Sequence, residues 1–123
     1  MSDAAPTRTL TDDAFRCRLD APEPAGTESV GGEPMAASVA LAEVGDVEVG
    51  VWEMTPGVCH DVEGEEVFVV LSGRGAVRFG DGSVVDLTPG RVVRLRSGER
   101  TVWDVTETLR KVYVALADAP APA

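Results

Sequence analysis

Short apolar runs rich in valine, separated by glycine and proline turns, dominate the chain from residue 35 onward. Such runs of β-branched residues between turn signals are typical of strands in a pleated sheet. No segment longer than ten residues shows a stripe of apolar residues at the helical period. The predicted strands span 35–43, 47–54, 65–72, 75–79, 83–87, 91–95, 101–105 and 108–116. The pattern therefore predicts an all-β protein with little helix.

The turns between these runs support a compact β architecture. Thr55-Pro56-Gly57 and Thr88-Pro89-Gly90 supply the restricted proline φ and the permissive glycine that tight reversals need. Asp81-Gly82, between valine-containing runs, is the strongest hairpin signal of the chain. Many short strands with such turns predict a β-sandwich, a jelly roll or a small barrel.

The first third of the chain is less regular. Residues 14–19 alternate Phe15, Cys17 and Leu19 with two arginines, which predicts a half-buried strand. Residues 20–34 are rich in proline, glycine and glutamate and are expected to form an ordered loop or extended arm. We therefore divide the chain into a flexible N-terminus at 1–13, one domain at 14–116 and a flexible Pro/Ala tail at 117–123.

Length and charge bound the possible functions. The 123 residues suffice for one domain with a real core. The net charge is −10, and residues 19–73 contain twelve Asp and Glu but no Lys or Arg, whereas residues 74–123 contain eight basic and six acidic residues. Because phosphate binding needs a clustered cationic face, nucleic acid is not an expected partner.

Two observations address location. No apolar run approaches the ~20 residues that span a bilayer, and the first ten residues, MSDAAPTRTL, lack the apolar core of a signal peptide. We therefore expect a cytoplasmic protein that does not associate with membranes. Cys17 and Cys59 are accordingly expected to be reduced thiols rather than a disulfide.

Residues 57–73 contain the only histidine of the chain, followed by carboxylates and an apolar strand that ends in glycine. This segment resembles the first motif of the cupin superfamily, G-x5-H-x-H-x(3,4)-E-x6-G. His60 stands at the first histidine, Val62 replaces the second, Glu66 takes the glutamate position and Gly73 the closing glycine. The opening glycine is displaced, because Gly57 lies only three residues before His60.

The second cupin motif, G-x5-P-x-G-x2-H-x3-N, is matched more weakly. After Gly90, Arg96 stands at the proline, Thr101 at the histidine and Val105 at the asparagine. Residues 50–57 and 101–114 are most similar to small single-domain cupins grouped with ureidoglycine aminohydrolase and with ethanolamine-utilisation cupins. The resemblance covers residues 31–116 and implies a cupin-type jelly-roll β-barrel.

The resemblance also implies a site inside the barrel, where cupins hold a metal with several imidazoles and a carboxylate. This chain has one histidine, so that ligand set is incomplete. Strand alternation is expected to point His60 and Val62 inward and Cys59 and Asp61 outward. The expected cofactor is either none or a weakly held divalent metal (Mn, Ni, Fe or Zn) bound by His60 and Glu66. The alternative is a histidine that only forms hydrogen bonds at the barrel mouth.

A small-molecule pocket is the second candidate site. Apolar walls with a few polar groups are the usual composition of such pockets. The predicted lining combines three aromatic walls with three polar anchors: Trp52, Phe68, Trp103, His60, Glu66 and Thr101. The alternative is that these aromatic side chains simply fill the core.

Residues 67–71 are apolar on both strand faces, so both faces are expected to be covered. One cover is the barrel interior, and the other is a second element or a second subunit. We therefore expect a homodimer.

Three functional hypotheses follow. The first is a cupin that binds a small polar metabolite in the barrel with an incomplete metal-ligand set. The second is a divalent-metal enzyme resembling ureidoglycine aminohydrolase. The third is a non-catalytic dimeric scaffold.

Overall fold

The computed structural model describes residues 8–116 as an all-β domain with no helix in that range. The strands are β1 (Glu23–Pro24), β2 (Glu28–Gly31), β3 (Met35–Val44), β4 (Val47–Met54), β5 (Gly57–Val62), β6 (Glu66–Phe79), β7 (Val84–Leu87), β8 (Val92–Leu95) and β9 (Arg100–Leu116). Flexible ends were predicted at 1–13 and 117–123, and of these, residues 1–7 and 117–123 lie outside the described residues.

The two longest strands, β6 and β9, pair with each other and run through both layers of the fold. The second half of β9 pairs with β4, and its first half pairs with β5. The first half of β6 pairs with β8, and its second half with β7. One layer is therefore ordered β1-β3-β4-β9-β6-β8, and the other β2-β5-β9-β6-β7. All pairs are antiparallel, as the predicted jelly-roll β-barrel requires.

The two layers meet where β6 and β9 bend together. The β6–β9 register shifts between Val70 and Gly75, and Gly73 lies there with a φ of 95°. A Cβ atom at this position would collide with the backbone carbonyl of Thr108 on the facing strand. Gly73 is therefore required both for its positive φ and for the close approach of β9.

The core lies between the layers and is built from the inward residues of both. Phe68, Val70 and Val77 from β6 and Trp103, Val105 and Leu109 from β9 are almost fully buried. Met54 and Cys59 close the core from β4 and β5. Inward and outward residues alternate along a strand. Each long strand therefore places one set of side chains in the core and the other set on the outer face of its layer.

Most predicted strands are confirmed. The strand at 47–54 has the predicted bounds, and the Asp81-Gly82 turn joins β6 to β7 as a hairpin. The runs at 65–72 and 75–79 form one strand, as do those at 101–105 and 108–116, because the intervening residues bend rather than end the ladder. The predicted loop at 20–34 contains the short strands β1 and β2.

The predicted strand at 14–19 is wrong. Residues 14–16 form a turn in which the Asp13 carboxylate accepts a hydrogen bond from the Phe15 amide at 2.9 Å. The Arg110 guanidinium of β9 donates to the carbonyl oxygens of Ala14 and Cys17 at 3.1 and 3.0 Å. A side chain thus binds the carbonyls that a neighbouring strand would otherwise bind, and no ladder forms.

No helix in the described part of the chain is long and apolar enough to cross a membrane.

Candidate functional site

A cavity of ≈280 Å³ opens into the inner face of β4, β5 and β9. It is lined by four carboxylates, one lysine and three aromatic rings among other residues. The lining residues are Ser38, Glu48, Trp52, Asp61, Glu63, Glu66, Trp103, Lys111, Tyr113 and Ala115. This mixture of aromatic walls and convergent polar groups is typical of a small-molecule site.

Lys111 occupies the centre of this lining. Its side chain is only 5% exposed, and its Nζ atom donates to Glu66 Oε2 at 2.6 Å. The same Nζ lies 4.5, 4.2 and 4.8 Å from the ring centroids of Trp52, Phe68 and Trp103. A cation so close to three ring faces is stabilised by their negative quadrupoles. The protein therefore holds one fixed ammonium group in the barrel.

Glu63 is positioned by two buried residues of β9. Its Oε2 accepts hydrogen bonds from Thr101 Oγ1 at 2.6 Å and Trp103 Nε1 at 2.8 Å. Burial raises the pKa of the Glu63 carboxyl, and these two hydrogen bonds only partly oppose the increase. Glu63 is thus a desolvated carboxyl held in one orientation.

Asp61 enters the cavity from β5. It lies directly opposite Thr101 in the β5–β9 ladder, and opposed residues share a face of the sheet. Burial raises the pKa of its carboxyl, while the Val62 amide, which donates to Asp61 Oδ1 at 2.8 Å, and the charge of Lys111 lower it. Two neighbouring carboxyls with raised pKa values therefore border the cavity.

Tyr113 and Glu48 form the opposite side of the site. The Tyr113 hydroxyl donates to Glu48 Oε2 at 2.7 Å. Burial and the adjacent Glu48 carboxylate raise the pKa of Tyr113, so the phenol remains a donor. Gly50 makes room for this ring, because a Cβ atom there would overlap the Tyr113 side chain.

The structure brings together five of the six predicted pocket residues. Trp52, Glu66, Phe68, Thr101 and Trp103 all face the interior, and the Trp103 ring centroid lies 5.5 Å from Trp52 and 5.8 Å from Phe68. Phe68 is packed beneath the Lys111 ammonium rather than open to the cavity. The aromatic residues therefore both fill the core and support the cavity.

The expected inward orientation of His60 is wrong. His60 is exposed and pairs with Glu28 and Val102 on the outer face, whereas Cys59 and Asp61 point inward. The Cys59 side chain is buried opposite Trp103, and this apolar contact fixes the orientation of β5. His60 therefore lies on the outer face of the layer that contains β5, whereas Glu66 faces the cavity from the other layer, so the two do not form the predicted metal-binding pair.

The inward donors do not fit the cupin centre of several imidazoles and a carboxylate. No histidine faces the cavity, and the Lys111 ammonium lies against Glu66, the predicted carboxylate ligand. Within residues 8–116, no group of three or more His, Cys, Asp or Glu side chains is arranged to hold a metal ion. What the arrangement offers chemically is a fixed cation, hydrogen-bond acceptors and two carboxyls suited to proton transfer.

Four charged lining residues were missed at the sequence level: Glu48, Asp61, Glu63 and Lys111. Lysine is rarely buried, so Lys111 is not an obvious interior residue. The alternation Leu109, Lys111, Tyr113 was the available signal, because it places Lys111 on the face of two core residues. For Asp61 the corresponding signal was Cys59, an apolar residue two positions earlier, because residues two apart lie on the same face of a strand.

The domain is similar to known cupins. A model of the EutQ-like cupin domain matches residues 41–113, which is more than half of the chain. None of the curated proteins matches the chain.

Among solved structures, the EutQ protein of Clostridium difficile is 20% identical with a TM-score of 0.62, over 70% of this chain and 71% of that one. A candidate ethanolamine utilization protein Q from Salmonella typhimurium is 20% identical with a TM-score of 0.59, over 71% of both chains. A protein of unknown function from Pseudomonas syringae is 23% identical with a TM-score of 0.69, over 83% of this chain and 45% of that one. The structural similarities support the fold, and the match over residues 41–113 shows that this chain belongs to the EutQ-like cupin family.

Proposed function

We propose that this protein binds a small polar metabolite in the barrel cavity, without the metal centre of other cupins. The observation that carries the proposal is the Lys111 ammonium, which is fixed by Glu66 and three aromatic rings at the position where the cavity lining converges. A preorganised charge and acceptors on an aromatic wall recognise a polar ligand at low entropic cost.

The cavity size limits the ligand. A volume of ≈280 Å³ corresponds to about nine water molecules at their share of liquid volume, which suits a metabolite rather than a polymer. The charged groups lie on β4, β5, β6 and β9, except Glu63, which lies in the loop between β5 and β6, so a bound molecule would contact mainly strands of the sheet. Sites built on strands hold their ligands more accurately than sites built on loops.

Tryptophan fluorescence tests the proposal directly. Trp52 and Trp103 are the only tryptophans of the chain, and both line the cavity. We expect a library of small polar metabolites to contain compounds that change the emission saturably. In Ser38→Phe the added ring would fill the cavity and abolish the change.

Ser29→Phe is the matched control, because Ser29 is exposed on β2 and does not line the cavity. It should respond like the wild type. A wild-type protein that responds to no compound, or equal responses in the wild type and Ser38→Phe, would contradict the proposal.

The enzymatic alternative is a divalent-metal aminohydrolase that uses His60 and Glu66. The opposite orientations of these two residues argue against it. Elemental analysis of protein purified without chelator or affinity-tag metal tests this alternative. Stoichiometric Mn, Ni, Fe or Zn that is lost in His60→Ala would favour the enzyme over the metal-free binding protein.

A homodimer is the second part of the proposal, and it is supported by the outer face of the β3-β4-β9-β6-β8 layer. The ladder aligns five valines in one row across these five strands: Val39, Val51, Val112, Val69 and Val92. The adjacent row continues with Val49, Val114 and Val67, and Val92, Val114 and Val67 are exposed. Val51 is fully buried, but the three exposed valines lie on the neighbouring strands β6, β8 and β9, and exposed apolar surface of this kind marks an interaction site.

A second copy of this chain is the occupant that we propose for this valine face. The rows contain no charged side chain until Arg94, which is itself paired with Glu65. Because these rows are uncharged, the valine faces of two copies related by a two-fold axis would pack without charge repulsion, even though each chain carries a net charge of −10. In the scaffold hypothesis, dimerisation through this same surface is itself the function of the protein.

Sedimentation velocity tests the dimer. Val67→Lys places a charge at an exposed position of the valine face and should convert dimer to monomer. Val84→Lys, at an exposed valine of β7 in the other layer, is the matched control and should remain dimeric. A monomeric wild-type protein at micromolar concentration, or a dimeric Val67→Lys, would contradict this part of the proposal.

A further inference from the structure

The charge balance of the barrel cavity is strongly negative. The lining contains Glu48, Asp61, Glu63 and Glu66 but only one basic residue, Lys111. When all five groups are ionised, the formal charge of the cavity lining is −3. Since charges interact more strongly in a partly desolvated cavity than in water, this excess selects the charge of a ligand.

Lys111 compensates only one of the four carboxylates. Its ammonium is 2.6 Å from Glu66 and is enclosed by the rings of Trp52, Phe68 and Trp103. The cavity lining therefore already stabilises one ammonium ion by an ion pair and cation–π contacts. The other three carboxylates have no basic partner among residues 8–116.

Each of these three carboxylates has one oxygen that accepts from the protein. Glu63 Oε2 accepts from Thr101 and Trp103, Glu48 Oε2 from Tyr113, and Asp61 Oδ1 from the Val62 amide. The second oxygen of each receives no hydrogen bond from residues 8–116. No buried side-chain polar atom in this range lacks a partner, so these oxygens are accessible to solvent or to a ligand.

We propose that the metabolite carries a primary ammonium group, which binds between the free oxygens of Asp61 and Glu63 beside Trp52 and Trp103. This inference rests on the proposed function and assigns it a ligand class. An ammonium has three donors and a positive charge, so it satisfies both carboxylates and reduces the charge excess. The raised pKa values of Asp61 and Glu63 agree, because burial without a cation disfavours their charged forms.

Other ligand classes fit less well. A carboxylate or phosphate ligand would bring a further negative charge beside Glu48, Asp61 and Glu63, and Lys111 is already paired. A neutral alcohol donates one hydrogen bond but leaves the charge excess unchanged. The amine is therefore favoured over an acid or an alcohol of the same size.

Three probes of equal length test this selectivity by tryptophan fluorescence: n-butylammonium, butyrate and butan-1-ol. We expect n-butylammonium to bind at least about tenfold more tightly than the other two, since a hydrogen bond between charged groups exceeds a neutral one by about this factor. Glu63→Gln and Asp61→Asn keep the shape of the side chain and remove its charge. Each should weaken amine binding about tenfold.

Glu43→Gln is the matched control, because it removes the same charge from an exposed position in β3, outside the cavity. Its amine affinity should equal that of the wild type, and thermal unfolding will verify that all variants are folded. Preferred binding of butyrate or butan-1-ol would overturn the amine inference and leave the cavity as a ligand site. An amine affinity that is unchanged in Glu63→Gln and Asp61→Asn would also overturn it. If neither these probes nor the metabolite library binds, both the inference and the proposed function fail.

Discussion

Arg110 and Lys111 are adjacent in β9 and both buried, yet they serve opposite sides of one sheet. Arg110 faces outward, pairs with Glu53 at 3.1 Å and binds the carbonyls of Ala14 and Cys17. Lys111 faces inward, pairs with Glu66 at 2.6 Å and borders the barrel cavity. The alternation of a strand thus separates a residue that anchors a chain segment from one that forms a site.

The two cavities beside these residues differ in the same way. The outer cavity, near Arg110, is larger, at ≈510 Å³, and lies between residues 17–22 and strands β3 and β4. Its buried charge is compensated within the protein, because Arg110 and Glu53 neutralise each other. The barrel cavity is smaller but has three carboxylates without basic partners among the described residues. Uncompensated charge, rather than volume, indicates the candidate site.

The largest expected effect is that of Lys111→Met. The substitution leaves Glu66, whose side chain is 18% exposed, without its ion pair. Removing one partner of a buried pair costs about 3 kcal/mol or more of unfolding free energy. Urea unfolding should show this loss, and adding Glu66→Gln should restore most of it. An unchanged stability in Lys111→Met would show that the pair is not effectively buried.

Arg110→Met should have the next largest effect, of a different kind. Loss of the Glu53 pair and of the bonds to the carbonyl oxygens of Ala14 and Cys17 should cost about 2 kcal/mol. Hydrogen exchange should accelerate at residues 14–17, while ligand binding in the barrel stays unchanged. Arg74→Met removes an exposed pair with Glu107 and should cost less than about 1 kcal/mol. A loss of barrel binding in Arg110→Met would contradict the separation of the two faces.

The two cysteines report on the same two faces. Cys17 lies beside Arg110 and is half-buried, whereas Cys59 is buried on the inner face. Burial and the nearby Asp61 and Glu63 raise the pKa of Cys59 from 9.0 to about 11, which lowers its thiolate fraction at neutral pH about 100-fold. Iodoacetamide should therefore modify Cys17 first, as measured by peptide mass spectrometry. Equal labelling of both thiols in the native protein would contradict the burial of β5.

The smallest expected effect is a gain of stability in Glu63→Gln. Because the folded-state pKa of Glu63 is raised above its ordinary 4.5, ionisation destabilises the folded protein as the pH rises through that folded value. The substitution should therefore stabilise at neutral pH, by less than the ~1 kcal/mol typical of point substitutions. The gain should disappear as the pH falls toward 4.5. Thermal unfolding from pH 4.5 to 8 measures it, and a gain that grew at low pH would contradict the sign.

The fold was more predictable from the sequence than the site. Valine runs and turn residues determine the strands, because burial of one sheet face and the geometry of turns both act locally. The orientation of β5 was not determined in this way, since Val58, Cys59 and Val62 distribute apolar residues over both of its faces. Only the packing of Cys59 opposite Trp103, which is a contact between distant segments, resolves which face is inside.

Lys111 illustrates the same limit for the site. A lysine is expected at the surface, and its burial depends on Glu66 and on rings from β4, β6 and β9 that meet only in the folded barrel. The aromatic residues of the pocket were predictable because large apolar side chains are generally buried. The polar residues required the three-dimensional arrangement of their partners.

The long strand β9 also has a consequence for the order in which the protein folds. It pairs with β4, β5 and β6, and Gly57, for example, pairs with Val105. Until β9 has left the ribosome, these three strands lack a common neighbour and the two layers cannot close. Such distant pairings slow folding and leave unpaired strand edges open to association with other chains. The nascent chain therefore leaves edges of β4, β5 and β6 unpaired until β9 is synthesised.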